Sequence, residues 1–354
     1  MSPSGSIYCL ALALAFAPCI MSAQPAAKPT SQIIATDFIV TDAKGHRVTN
    51  LQASDFTVQD NGAPRKILAF QLPRVAQSPT AKPVPPDAID IILDNVNTPD
   101  IRVAYIRQAT EKFLRLEGSN LPSPVSIYLF NGKGAILVAG PSTDGNQLAA
   151  QLDATEASQR PFLKIEGFYN LTDRLQASLD TVGAFLAHQS SLPGHKLVLW
   201  IGRGWPLMMN TQTFADRKQE LTFFNALTSL WSTSRHARVT FYALDPSRSP
   251  DERTVDWEDY VLYLKPVTNP LHTPVGSLSI QALSVNTGGL ALPFSGETSL
   301  SGTIARTIRD ANKSYFLAFA SPIDPKPDQY HSLKITVDKP GLTVRCRAGF
   351  YSGQ

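Results

Sequence analysis

Cysteine is scarce in this chain. Three residues in 354, Cys9, Cys19 and Cys346, are too few for a disulfide framework and do not sit at zinc-ligand spacing. Charge is sparse too. Asp, Glu, Lys and Arg make up 17% of the residues, against roughly 25% in an average soluble protein. The net charge is only 32 − 29 = +3, and no dense Lys/Arg run occurs. Nucleic acid and anionic membranes are therefore excluded as main partners. No apolar run reaches the ~20 residues of a membrane span. The sequence has no G-x-S-x-G elbow and no H-E-x-x-H pair. Gly132-Lys133-Gly134 and Gly202-Arg203-Gly204 lack the rest of a phosphate loop and read as turns. The six histidines, His46, His188, His195, His236, His272 and His331, form no close ligand pair. Nothing repeats at a period of about 20–50 residues.

What remains is apolar. Hydrophobic residues are 43% of the chain, enough for a sizeable core, and the length suits about two domains. Residues 1–23 carry no Lys, Arg, Asp or Glu, and Ile7 to Ala17 is an apolar run broken at Pro18. This stretch reads as a secretory signal peptide, too short for an anchor. Cys19 leaves lipid anchoring open. Cleavage would leave Cys346, in an alternating strand pattern, as a packed small hydrophobe. Residues 24–32 read as a linker, and 33–75 as a β segment. Within it, Asp60-Asn61-Gly62 lies between two apolar runs, a hairpin signal because both turn residues tolerate positive φ. Pro79, Pro83, Pro85 and Pro86 mark a boundary.

Beyond the boundary, strands alternate with helices. Ile89 to Asp94 is apolar enough for a strand buried on both faces. Helical periodicity covers 100–117, 144–155, 171–188, 213–235, 276–286 and 299–312. Strands are expected at 125–130, 135–139, 196–201, 239–244 and 290–292. Such alternation predicts a mostly parallel α/β sheet with helices on both faces, over 88–313. The tail, 314–354, reverts to strands and is expected to pack with the head as a split β module.

Several short stretches, in order along 33–351, resemble the von Willebrand factor A-related family of secreted bacterial proteins. They are Phe38 to Gly45 with Asp55-Phe56 and Asp60 to Gly62, then Asp94 to Thr98, then Gly194 to Pro206. Thr287 to Gly289, Tyr315 to Phe319, Tyr330-His331, and Lys339 to Arg345 with Gly349 to Tyr351 follow. The resemblance implies a Rossmann-like A domain and an adhesion-type role in protein binding. It also implies a divalent-ion site with D-x-S-x-S after the first strand, a Thr from a later loop and an Asp after a central strand. Oxygen ligands are what Mg²⁺ or Ca²⁺ requires.

Asp94 and Thr98 match that pattern. Val96 stands where the first Ser would be, and Asn170 and Thr172 align only loosely with the second loop. The third position falls on Gly202-Arg203-Gly204, without a carboxylate and with a guanidinium near the ion's place. The site is expected to be degenerate, with Arg203 organising Asp94 in place of the ion. Ligands in open α/β sheets sit at the carboxyl ends of the strands. Loops 94–99, 202–212 and 245–275 should meet there. Arg203, Trp205, Met208, Met209 and Trp257 are the candidate protein-contact residues. The Trp and Met side chains either face a partner or pack under the long third loop.

The expectation is a secreted or periplasmic, non-enzymatic interaction protein without a cofactor, binding a protein or another envelope component. The alternative is metal-dependent adhesion through a residual Mg²⁺ or Ca²⁺ site at Asp94 and Thr98. An enzyme with a dispersed site has no positive signal in the sequence.

Overall fold

The computed structural model describes residues 31–73, 87–118, 120–156, 169–206, 216–247, 261–293, 299–311 and 314–353. The predicted leader and linker at 1–30 lie outside them, as do Met208, Met209 and Trp257.

The middle of the chain builds one six-stranded sheet. Its strands are β5 (Ala88–Asp94), β6 (Val125–Phe130), β7 (Ala135–Ser142), β8 (Lys196–Ile201), β9 (Val239–Asp245) and β10 (Ala291–Pro293), in the order β10-β9-β8-β5-β6-β7. Every pairing is parallel except β6 with β7. The antiparallel edge departs from the plain strand–helix alternation because β6 and β7 are joined by a short turn, Asn131 to Gly134, too short for a crossover.

Side-chain alternation along β5 divides the core. Ile89, Ile91 and Leu93 pack under helices α1 (Asp100–Glu117), α2 (Gly145–Glu156) and Leu300–Ala311. Ile92 on the opposite face, with Val198 and Trp200 of β8, packs under α3 (Tyr169–Ser190), α4 (Arg217–His236) and Ile280–Asn286. The latter two short helices are α5 (Ile280–Asn286) and α6 (Leu300–Ala311). Asp216 caps α4, accepting from the Gln219 N–H at 2.8 Å, so this helix starts a few residues later than its periodicity suggests.

Both chain ends contribute to a sandwich of two antiparallel sheets. One holds β1 (Ser31–Thr41), β4 (Ile67–Gln71), β11 (Tyr315–Pro322) and β13 (Thr343–Cys346), in the order β13-β1-β11-β4. The other holds β2 (Phe56–Asp60), β3 (Ala63–Arg65), β12 (Tyr330–Val337) and β14 (Gly349–Tyr351), in the order β14-β12-β2-β3. Asn61 and Gly62 turn β2 into β3 with φ of 50° and 79°, the left-handed values that favour this pair. Phe38, Phe56, Tyr315, Leu317, Phe319 and Phe350 fill the space between the sheets. The Tyr315 hydroxyl donates to the Val48 carbonyl at 3.0 Å and accepts the Leu51 N–H at 3.1 Å. Cys346 packs at the rim of this core, and burial pushes its thiol up to about 11.

Polar contacts tie the sandwich to the α/β layer. Arg238, which precedes β9, reaches Asp37 of β1 at 2.6 Å and lies over the Phe316 ring. Arg345 donates to the Tyr242 hydroxyl at 2.8 Å, and the Tyr351 hydroxyl donates to the Val267 carbonyl at 3.0 Å.

Candidate functional site

The strand order reverses between β5 and β8, which places a crevice at their carboxyl ends. Asp94 closes β5 there, and Gly202 follows β8. Asp94 is completely enclosed, on the face shared with Ile92 and Trp200.

Four N–H groups converge on its carboxylate. Oδ1 accepts the backbone N–H of Val96 at 3.0 Å and of Asn97 at 2.9 Å. Oδ2 accepts the Asn97 side-chain amide at 3.0 Å and the Trp200 indole at 3.1 Å. A carboxylate has about four lone-pair directions, so each is engaged. Burial pushes the Asp94 carboxyl above its ordinary pKa, while the bonds from Asn97, Trp200 and Val96 pull it down. The Asn97 amide also donates to Ser178 Oγ of α3 at 3.0 Å, and that hydroxyl donates to the Arg174 carbonyl at 2.7 Å.

Thr98 is buried beside Asp94, and its hydroxyl accepts the Arg203 backbone N–H at 3.3 Å. Gly202 leaves no room for a side chain. A Cβ there would lie 2.6 Å from Asp94 Cβ and 3.1 Å from Thr98 Oγ1. Carboxylate, hydroxyl and glycine thus interlock as a hydrogen-bonded corner.

This donor set does not fit a divalent ion. A cation needs oxygen lone pairs aimed at it. Those of Asp94 face N–H donors, Val96 supplies only a buried aliphatic side chain, and a carboxylate at position 202 has no space. Among the described residues no group of three or more His, Cys, Asp or Glu side chains converges as a metal cluster. The side chains of Asn170 and Thr172 lie outside the described residues.

The expectation that Arg203 organises Asp94 needs correction. Trp200 and Asn97 hold the carboxylate, and the hydrogen bond that Arg203 sends into the corner comes from its backbone. Arg203 is half-buried, as is Arg174 on α3. Burial lowers the Arg174 pKa, with attraction from Asp94 and repulsion from Arg203 also acting on it.

Trp205 also needs correction. It is fully buried, with its ring edge-on to Trp200 at 5.7 Å, and belongs to the packed layer beneath α3 and α4. Its apolar surface is spent inside the protein, so it offers no contact to a partner.

Asn97, Ser178 and Arg174 were not legible as a site. Asp94-x-x-Asn97 at a strand end is a spacing at which a side-chain oxygen accepts backbone N–H groups two and three residues on. Trp200 carried a further signal, because an indole N–H inside a buried strand needs an acceptor.

No family model matches the chain, and no curated protein matches it. Among solved structures it is similar to an aerotolerance-related membrane protein from Bacteroides fragilis, with 13% identity, a TM-score of 0.34, and 63% of this chain and 98% of that one covered. It is also similar to the TFIIH p34 N-terminal domain, with 15% identity, a TM-score of 0.24, and 46% and 81% covered. Proximal thread matrix protein 1 from the mussel byssus follows, with 10% identity, a TM-score of 0.27, and 48% and 40% covered. Identities and scores of this size leave the functional reading to the geometry of the corner itself. The coarse architecture is a mixed α/β chain with a mostly parallel six-stranded sheet flanked by helices. No helix among the described residues is long and apolar enough to cross a membrane.

Proposed function

We propose that the chain is a secreted, non-enzymatic interaction module of the von Willebrand factor A type. It would engage a protein or other envelope component at the carboxyl edge of its sheet, without a divalent ion. The observation that carries this reading is the engagement of Asp94 by four N–H donors. Where A domains recruit an ion, this corner uses the amide of Asn97 and the indole of Trp200. The same engagement argues against enzymatic use, since a carboxylate held by four donors is a poor general base.

With Trp205 withdrawn into the core, Arg203 is the candidate contact that remains among the described residues. Arg203, two residues past the end of β8, and Arg174 on α3 flank the corner with charged side chains. Guanidinium groups favour planar acidic partners. The apolar, uncharged leader supports export.

Crosslinking the mature chain in its native envelope, once in EDTA and once in excess Mg²⁺, tests the reading. The same attached species should be recovered in both, and Arg203→Met should reduce its yield. Capture that requires the ion contradicts metal independence and favours adhesion through Asp94 and Thr98. Absence of any specific partner in both conditions contradicts the interaction role.

A further inference from the structure

The β sandwich contains a buried charged chain that the corner does not use. His331 of β12 stacks on the Phe350 ring with centroids 4.8 Å apart. Its Nδ1 lies 2.6 Å from Asp60 Oδ1, and its Nε2 lies 2.5 Å from Asp324 Oδ2. Asp60 ends β2 and is completely buried. Its Oδ2 accepts the Ser321 hydroxyl at 2.8 Å and is paired with Arg65 of β3 at 3.2 Å. Asp324 sits in the connection between β11 and β12, with its side chain 27% exposed. Ser321 belongs to one sheet and Asp60, Arg65 and His331 to the other. The chain of contacts therefore spans the sandwich and ends on a surface connection.

A doubly protonated imidazole donates at both nitrogens, whereas a neutral one keeps one donor and one lone pair. A lone pair facing a carboxylate oxygen at these separations is repulsive. One of the two contacts must then yield. Asp60 has no route to water and keeps its N–H donor, while Asp324 can rehydrate.

We propose that His331 is a pH-sensitive latch. Its protonated ring holds the 323–329 connection against the sandwich through Asp324, and loss of the Nε2 proton releases that connection while Asp60 stays bound at Nδ1.

Among the described residues, the charged groups facing the ring are Asp60 from β2, Arg65 behind it on β3, and Asp324. β14 presents the apolar Phe350, and Lys326 and Asp328 belong to the connection itself. Burial alone would lower the His331 pKa, but the bonds to Asp324 and Asp60 outweigh it and hold the value above the ordinary histidine range. For Asp324, burial raises the pKa, and the bonds to His331 and Ser352 together with the attraction of the imidazolium outweigh it and lower the value. The histidine contribution is complete below the unfolded pKa of about 6.5 and is lost as pH rises through the raised folded value. The Asp324 contribution is present above about 3.9 and is lost as pH falls through its lowered folded value. The latch is closed between those limits and opens on the alkaline side.

Amide hydrogen exchange on the full chain reads it. The Asp328 N–H donates to the Ser352 carbonyl at 3.0 Å, and the Ser352 N–H to the Gln329 carbonyl at 2.9 Å, so both report on docking. Protection, corrected for intrinsic base catalysis, should fall across the His331 titration followed from its ring resonances. Asp324→Asn, which leaves the buried Asp60 contact in place, should lower the His331 pKa and remove the pH dependence. Protection in the wild type should drop about tenfold for each unit by which that variant lowers the His331 pKa. Protection that ignores the His331 titration overturns the latch, as does a variant with the wild-type profile.

Discussion

Trp200→Phe is the sharpest perturbation of the corner, because the structure supplies its own control. Trp200 and Trp205 are both fully buried, lie 5.7 Å apart and belong to the same apolar layer. Only one indole has work to do. Trp200 Nε1 donates to Asp94 at 3.1 Å, whereas Trp205 Nε1 is buried without a partner among the described residues. Replacing either ring with Phe removes a similar volume, at a packing cost of about 1–3 kcal/mol. Trp200→Phe also removes a hydrogen bond to a charged group, worth about 1.5–3 kcal/mol, and leaves Asp94 with a buried acceptor direction unfilled. Trp205→Phe removes no bond and deletes an unsatisfied N–H. The Trp200 variant should therefore be the less stable of the two by about 1.5–3 kcal/mol. Urea unfolding followed by far-ultraviolet circular dichroism measures the difference without relying on tryptophan emission. Equal m-values for the two variants keep the comparison valid. In an Asp94→Ala background, which removes the acceptor, most of the difference should vanish, as a double-mutant cycle requires of interacting groups. Equal losses for the two variants, or a difference that persists without Asp94, refute the reasoning.

Other consequences follow from neighbouring contacts. Gly202→Ala places a Cβ 2.6 Å from Asp94 Cβ and should cost about 1–3 kcal/mol in the same urea assay. Arg238→Met removes the 2.6 Å pair with the mostly buried Asp37. It should cost about 1.5–3 kcal/mol, and limited proteolysis should show earlier cutting at the junction between sandwich and α/β layer. The Cys346 thiol, pushed up to about 11 by burial, should resist alkylation at neutral pH in the native chain and react promptly in urea.

Much of the fold is written in local pattern. The mostly apolar run Ile89–Leu93 and the apolar run Leu197–Ile201 became the paired strands β5 and β8 because continuous burial on both faces leaves few other options. Asn61-Gly62 became a hairpin turn because its φ values suit those residues. The antiparallel β7 was less legible, since its sequence carries no sign of direction. β14 is too short to show a period. The corner was half legible. Asp94, Thr98 and the missing carboxylate at position 202 stand in the sequence. The Trp200 indole lies 106 residues from Asp94, and only strand pairing brings them together. Trp205 shows the opposite difficulty: a tryptophan after a strand-end glycine pair looks the same in sequence whether it faces water or the core.

The most direct measurement is a nuclear magnetic resonance titration of the full chain with Mg²⁺ and Ca²⁺. It would follow the Trp200 indole N–H and the Asn97 side-chain amide, whose hydrogens point at Asp94 Oδ2. With those donors in the ion's place, both resonances should hold their positions into the millimolar range. Saturating shifts of both at sub-millimolar Mg²⁺ or Ca²⁺ would mean that the carboxylate gives up its amide and indole for a metal, and would contradict the account.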